Sequence, residues 1–174
     1  MAPIRIIDAF AEHHADDAAR LVFEYMAMTE GECDRPVPRS VEDLPAVLSR
    51  ECRALPATYA PPGVLLLACV ADEPVGCVGL KHQPPLDSLE LKRFYVRAPH
   101  RRRGTGRQLM LEAHAHAARV AVSRIVLDVM PTRTAVVDFY RRLGYAPTGY
   151  QEQPHPLVAM QLVVSPSDGV VRHR

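Results

Sequence analysis

Glu90-Leu-Lys-Arg-Phe-Tyr-Val96, followed after four residues by Arg101-Arg-Arg-Gly-Thr-Gly-Arg107, is the stretch on which the fold turns. Its first part alternates Leu91 with Glu90 and Lys92 and then becomes continuously apolar at Phe94-Tyr95-Val96, the pattern of a central strand. Gly104 then opens a helix with Leu109, Met110, Ala113, Ala117 and Val120 on one face, and Arg124 to Val129 reads as the next strand. Strand, helix, strand in that order predicts a parallel crossover. The arginine and glycine segment lies at the strand-to-helix turn, where backbone N–H groups and the positive end of the helix dipole converge beside guanidinium groups. That is a cradle for a polyanion. Glycine at 104 and 106 leaves the amides open to a phosphate. A dinucleotide fingerprint would need a third glycine where Leu109 stands, and the Walker pattern would need Gly-Lys-Ser/Thr, which is absent.

Working outward, Ile4 to Ile7 reads as a short strand, and Ala15, Ala18, Leu21, Val22, Tyr25 and Met26 recur at helical spacing, predicting one buried face. From Thr29 to Arg39 the chain turns polar, and Glu30, Glu32 and Asp34 read as an acidic solvated loop, with attraction of a cationic amine as the alternative. Ser40 and Asp43 form a capping signal before Leu44, Val47, Leu48 and Cys52, predicting a second helix whose first turn must hold Pro45. Pro61-Pro62-Gly63 ends the helical region. Val64 to Ala71 and Pro74 to Lys81 read as a hairpin, and a loop with Pro84 and Pro85 leads to the central strand. After Val129, a short helix from Thr134 ends at Gly144 in a left-handed cap, and strands near Tyr145 to Tyr150 and Leu157 to Val164 complete the pattern. Residues 1–164 are thus expected to form a single domain, with 165–174 as a flexible tail.

The chain has 174 residues, 48% of them hydrophobic and 24% charged, which excludes global disorder and fits one core. A net charge of +1 argues against a protein devoted to a nucleic-acid backbone. Val64 to Ala71 is too short an apolar run to span a bilayer, and the N-terminus lacks the apolar region of a secretory signal, so a cytoplasmic protein without a membrane partner is expected. The four cysteines show no C-x-x-C spacing, and Cys69 and Cys77 read as buried strand residues. His114 and His116 are two apart on one helix and point to different faces, so they read as surface residues rather than metal ligands. His13, His14, His82, His100 and His155 show no ligand spacing either, and no metal is expected; His82 and His155 fall in loops that border an acceptor pocket.

The region from Leu89 to Gly144 resembles the GNAT superfamily of acyl-CoA-dependent N-acyltransferases. Arg101, Gly104 and Gly106 stand in the order of that family's R/Q-x-x-G-x-G/A turn after a central strand, and Asp138-Phe-Tyr-Arg-Arg-Leu-Gly-Tyr145 is similar to its F-Y-x-x-x-G-F helix end, with Tyr145 in place of Phe. Many members carry Asn seven residues before the helical tyrosine, where this chain has Arg133. Glu90-Leu-Lys-Arg-Phe-Tyr-Val with Leu127-Asp-Val-Met-Pro131 looks more like a bacterial subgroup of small acetyltransferases, which supplies no substrate.

The resemblance implies an α/β fold with a mixed, mostly antiparallel central sheet flanked by helices on both faces. It implies that pantetheine lies between diverging fourth and fifth strands, bonded to backbone at Phe94, Tyr95 and Val96. The pyrophosphate of acetyl-CoA then meets the amides of Arg102, Arg103, Gly104, Thr105 and Gly106, with Arg101, Arg103 and Arg107 neutralising charge. Tyr140 is the implied acid for the departing thiolate, and the N–H of Tyr95 or Val96 the oxyanion donor. An alkyl amine, with a pKa of about 10.4, must lose a proton before attack, and Glu90 is the candidate base. Glu90 also has a plainer reading as a strand residue paired with Arg93 or Lys92, and Tyr140 as a core aromatic. The expected reaction is acetyl transfer from acetyl-CoA directly to a primary amine of a small molecule or peptide. The alternative is a noncatalytic acyl-CoA-binding sensor or interaction module. Dimers are common in the family, and the apolar strand near the C-terminus offers an interface for a homodimer.

Overall fold

The computed structural model describes residues 2–152 and 156–164. The chain runs β1 (Ile4–Asp8), α1 (Ala15–Glu32), α2 (Ala46–Arg53), a single turn α3 (Leu55–Thr58), β2 (Val64–Val70), β3 (Glu73–Gln83), β4 (Ser88–Val96), α4 (Thr105–Arg119), β5 (Arg124–Val129), α5 (Thr134–Arg142), β6 (Ala146–Gln151) and β7 (Leu157–Val163). The strands form one sheet in the order β1-β2-β3-β4-β5-β7-β6. Every neighbouring pair is antiparallel except β4 and β5, which the α4 crossover makes parallel. This is the expected mixed α/β sheet. The hairpin between β2 and β3 turns on Ala71 and Asp72, both with positive φ, as a tight two-residue turn requires.

Alternation along the strands divides the core into two clusters. Leu66, Val78, Leu80, Leu89, Leu91, Ile125, Leu127 and Met160 pack under Leu109, Met110 and Ala113 of α4 and Tyr140 of α5. On the other face Leu65, Leu67, Cys69 and Cys77 meet Leu21, Val22 and Met26 of α1, with Leu55 and Tyr59. β2 is apolar almost throughout because both of its faces are covered.

Two expectations change. Helix α1 does not stop near Thr29 but runs to Glu32, because Glu30 is buried and accepts two hydrogen bonds from Arg35, at 2.6 and 2.8 Å. The acidic stretch is therefore not a wholly solvated loop. The Ser40 capping box, in which Asp43 Oδ2 accepts the Arg39 and Ser40 N–H groups at 3.0 Å, opens only the 3-10 turn Val41–Asp43, and α2 starts after Pro45. The apolar strand near the C-terminus, β7, lies between β5 and β6, and the sheet ends at β1 on one side and on the other at β6, which is exposed along its length and carries Pro147. The tail 165–174 and His155 lie outside the described residues.

Candidate active site

The site begins with a fault in a ladder. On β3, Cys77 and Gly79 are separated by one residue, whereas their partners on β4, Tyr95 and Lys92, are separated by Arg93 and Phe94. The extra residue is a β-bulge, and Arg93 takes φ +57 to make it. A left-handed arginine inside a strand needs support from its surroundings. Glu51 of α2 supplies it, accepting Arg93 Nε at 2.8 Å and Nη2 at 2.6 Å and the Tyr59 hydroxyl at 2.9 Å, while the Cys77 thiol reaches the Arg93 carbonyl at 3.2 Å.

Beyond the bulge, β4 leaves its other neighbour. Ladder contact between β4 and β5 ends at Glu90 opposite Val126, while β5 stays paired with β7 as far as Val129. The end of β4 therefore faces an open gap. Arg97 N–H bonds to Val75 O, so the antiparallel alternation also turns the polar groups of Tyr95 toward Cys77 of β3 and those of Phe94 and Val96 toward the gap. Of the three backbone positions expected there, Tyr95 is thus engaged within the sheet. The Val96 carbonyl accepts Arg101 Nε at 2.7 Å.

At the start of α4 the first ladder bond is Gln108 N–H to Gly104 O. The N–H groups from Arg102 to Gly106 have no backbone partner among the described residues. Arg102 has φ +58 and Gly104 φ +87, and a side chain added at Gly104 would meet nothing within 4 Å. These amides are therefore an outward-facing set of unpaired donors at a helix N-terminus, the arrangement that suits an anion. Gly106 is small for a second reason: a Cβ there would stand 3.0 Å from Phe94 Cζ, so it lets the helix close onto the bulged strand. Thr105 is buried and its hydroxyl donates to His100 O at 3.1 Å, which pins the loop. Arg102, Arg103 and Arg107 are solvent-exposed. Arg101 is exposed as well but bends back over the strand end, its guanidinium 5.9 Å from the Tyr95 ring centroid and Nη2 3.7 Å from Met28 Sδ.

Tyr140 lies behind the gap, 4% exposed, with its ring 6.0 Å from Phe94 and 5.5 Å from Tyr145. Phe94 in turn stacks on Phe139 at 5.5 Å with parallel planes. Burial, and then the nearby Tyr25, push the Tyr140 phenol well above its ordinary value, so it stays protonated at neutral pH and can donate. The residue that replaces the family phenylalanine, Tyr145, shares a hydrogen bond of 3.1 Å with His114 Nε2. Burial lowers the His114 imidazole to about 4, so it is neutral. This corrects the surface reading of both histidines, since His116 Nε2 also bonds to Pro62 O at 2.8 Å. Arg107, Leu111, His114, Phe139, Arg142 and Leu143 line a cleft of 470 Å³ between α4 and α5. A larger groove of 580 Å³ beside α2 holds none of the expected residues.

On the opposite face of the sheet, Glu90 accepts Lys92 Nζ and Gln83 Nε2, each at 2.6 Å. Of the two plain partners expected for Glu90, the structure selects Lys92, because Arg93 turns to Glu51. Sequence reasoning missed Glu51, Tyr25 and the role of Arg133, which have no local pattern. Arg133 Nε donates to Glu32 at 2.7 Å, Nη1 to the Tyr25 hydroxyl at 3.1 Å and Nη2 to Thr29 Oγ1 at 2.8 Å, tying the β5–α5 loop to α1. It also missed Asp128, which β5 carries two residues past the last position paired with β4. Among the described residues no helix is long and apolar enough to cross a membrane, and no group of three or more His, Cys, Asp or Glu side chains could hold a metal ion.

The comparisons agree with this architecture. No curated protein matches the chain. An acetyltransferase of the GNAT family from Staphylococcus aureus Mu50 superposes with a TM-score of 0.72 at 14% identity, covering 94% of this chain and 100% of that one. The corresponding figures for a GNAT-family acetyltransferase from Streptococcus pneumoniae are 0.69, 20%, 94% and 100%. An aminoglycoside 6'-N-acetyltransferase complexed with coenzyme A superposes with a TM-score of 0.65 at 18% identity, covering 94% and 98%. At these identities the solved structures speak for the fold. The acetyltransferase (GNAT) family model matches residues 25–145, well over half of the chain and the whole span from Tyr25 through the bulge, the cradle and Tyr140 to Tyr145. With strand gap, amide cradle and family match all falling on the same residues, the chain belongs to the GNAT family and is an acyl-CoA-dependent N-acetyltransferase.

Proposed function

We propose that the protein transfers the acetyl group of acetyl-CoA directly to a primary amine of a small molecule or peptide. The observation that carries this reading is the unpaired edge of β4 next to the unladdered amides of α4. An extended amide-bearing chain pairs with such an edge as an added strand would. In this reading pantetheine bonds to Phe94 and Val96, and the Val96 N–H is the oxyanion donor. The pyrophosphate meets the amides from Arg102 to Gly106, with exposed Arg102, Arg103 and Arg107 neutralising its charge. The nucleotide end then reaches the cleft between α4 and α5, where Arg107 and Arg142 flank apolar Leu111 and Leu143. Arg101 supports the site from below, holding the Val96 carbonyl.

Tyr140 serves as the acid toward the departing thiolate, a role favoured by its protonated state and its contact with Phe94 at the gap. Glu90 lies at the mouth on the other face, in an ion pair with Lys92. Holding thioester and amine together supplies much of the acceleration, so loss of one side chain slows the reaction without ending it. A cytoplasmic setting, where acyl-CoA is supplied, belongs to the same reading.

The test is calorimetric titration with acetyl-CoA at low and raised salt, paired with thiol release from acetyl-CoA in the presence of a primary-amine panel. Micromolar binding that weakens with salt is expected, because exposed arginines meet phosphate. Tyr140→Phe should keep that affinity while lowering transfer by about 10- to 100-fold. Absence of binding at either salt removes the reading, and unchanged turnover removes the acid role of Tyr140. Binding without transfer to any amine would favour the sensor.

A further inference from the structure

We infer that Asp128 is the carboxylate that receives the acceptor's ammonium group and takes its first proton, an assignment that rests on the transfer reaction proposed above. The argument starts from strand register. Glu90 is opposite Val126, and in a parallel pair residues two apart share a face, so Asp128 and Glu90 lie on the same side of the sheet. Leu89, Leu91, Leu127 and Tyr140 all belong to the core cluster of the other side. The gap thus has a donor side, carrying Tyr140, and an opposite side, carrying Glu90, Lys92 and Asp128. An acceptor entering from the second side meets the thioester between the strands.

Of the two carboxylates there, only one is available. Glu90 is 20% exposed and both of its oxygens are taken, one by the Lys92 ammonium and one by the Gln83 amide. A carboxylate already neutralised by a lysine at 2.6 Å gains little from a second cation. Asp128 faces solvent and has no hydrogen-bond or ion-pair partner among the described residues. It also stands on β5 just where β5 has left β4, so it borders the gap directly. Partial burial, and then the Glu90 charge, raise its carboxyl above the ordinary range, with Lys92 opposing. A carboxylate in that condition is stabilised by an arriving cation and accepts a proton more readily than an ordinary aspartate does. The same face also carries Lys81 opposite Glu90, Arg124 on β5, and the uncharged Leu157, Ala159, Gln161 and Val163 of β7 with Gln151 of β6.

The acceptor enters as an alkylammonium. Asp128 takes one proton and later releases it to solvent. The nitrogen lone pair adds to the thioester carbonyl to form the new C–N bond, with the oxygen charge held by the Val96 N–H; as the carbonyl re-forms the C–S bond breaks, and Tyr140 gives its proton to the leaving thiolate. The second nitrogen proton returns to Tyr140, so the products are the amide, coenzyme A and one free proton.

Two probes separate this role from a structural one: n-propylamine, an alkylammonium at pH 7, and 2,2,2-trifluoroethylamine, which its fluorines keep neutral there. Asp128→Asn should fold, since its carboxylate is hydrogen-bonded to no described residue. It should lower kcat/KM for propylamine by about tenfold or more while leaving trifluoroethylamine within about threefold, and Glu90→Gln should not discriminate between them. Equal losses with both amines, or none, overturn the assignment while leaving the transfer reaction intact. If the protein binds acetyl-CoA yet acetylates neither probe, carbon-13 NMR of the coenzyme A complex decides: propylammonium chloride should move the Asp128 carboxyl resonance, and a resonance that stays put overturns the assignment. Failure to bind acetyl-CoA at all, read by calorimetry, is instead a failure of the underlying reading and takes the assignment with it.

Discussion

Arg93 is the residue whose position most depends on another. Its backbone is left-handed inside a strand, and its guanidinium is buried against Glu51, with side-chain exposures of 14% and 12%. Burial alone would raise the Glu51 carboxyl, but two hydrogen bonds and the charge of Arg93, with the Tyr59 hydroxyl, bring it below the ordinary carboxylate range. A carboxyl lowered in the folded state contributes stability that is complete above its unfolded pKa and is lost as pH falls through the folded one. Glu51→Gln leaves the buried guanidinium uncompensated and should cost about 3 kcal/mol at neutral pH, read as a lower Tm. Its melting temperature should also fall less than the wild type's on acidification. Nothing around Arg93 in the chain announces this, since Glu51 is 42 residues away and the local alternatives, Glu90 among them, look equally good.

At the scale of elements, β4 and the first turn of α4 act as one unit, with Phe94 between them. Gly104 and Gly106 look alike in the motif but do different things. Alanine at Gly104 meets no atom and strains only a φ of +87, so Gly104→Ala should cost about 1 kcal/mol and act mainly on acetyl-CoA affinity. Alanine at Gly106 would press on Phe94 Cζ at 3.0 Å, and Phe94 contacts both Phe139 and Tyr140. Gly106→Ala should therefore lower kcat more than affinity. Calorimetry and steady-state rates on the two variants separate these outcomes. The extents of β1, β2, β4, α4, β5 and α5 were legible in hydrophobic period and glycine caps, because those signals are local. The end of α1 was not, because it is settled by the Glu30–Arg35 pair rather than by composition.

Across the whole molecule the strand gap divides the sheet, and the two sides are joined on the α1 face through Arg133. Its three hydrogen bonds cross 101 to 108 residues of sequence, and its side chain is 16% exposed. Arg133→Ala should cost about 2 kcal/mol of stability, and amide exchange should quicken in the β5–α5 loop before it does elsewhere in the sheet. The identity of that residue is plain in the sequence as a departure from the family asparagine, yet its partners are not. By itself the sequence determined the class of fold, the glycine turn between β4 and α4, and the place of Tyr140 on its helix, since apolar period, glycine placement and motif spacing are properties of neighbouring residues. Tertiary structure decided which carboxylate is free and which is paired, which backbone groups of β4 face the gap, and which arginines turn inward. Those outcomes depend on register between strands and on partners brought together only when both faces of the sheet are buried, and no local pattern encodes them.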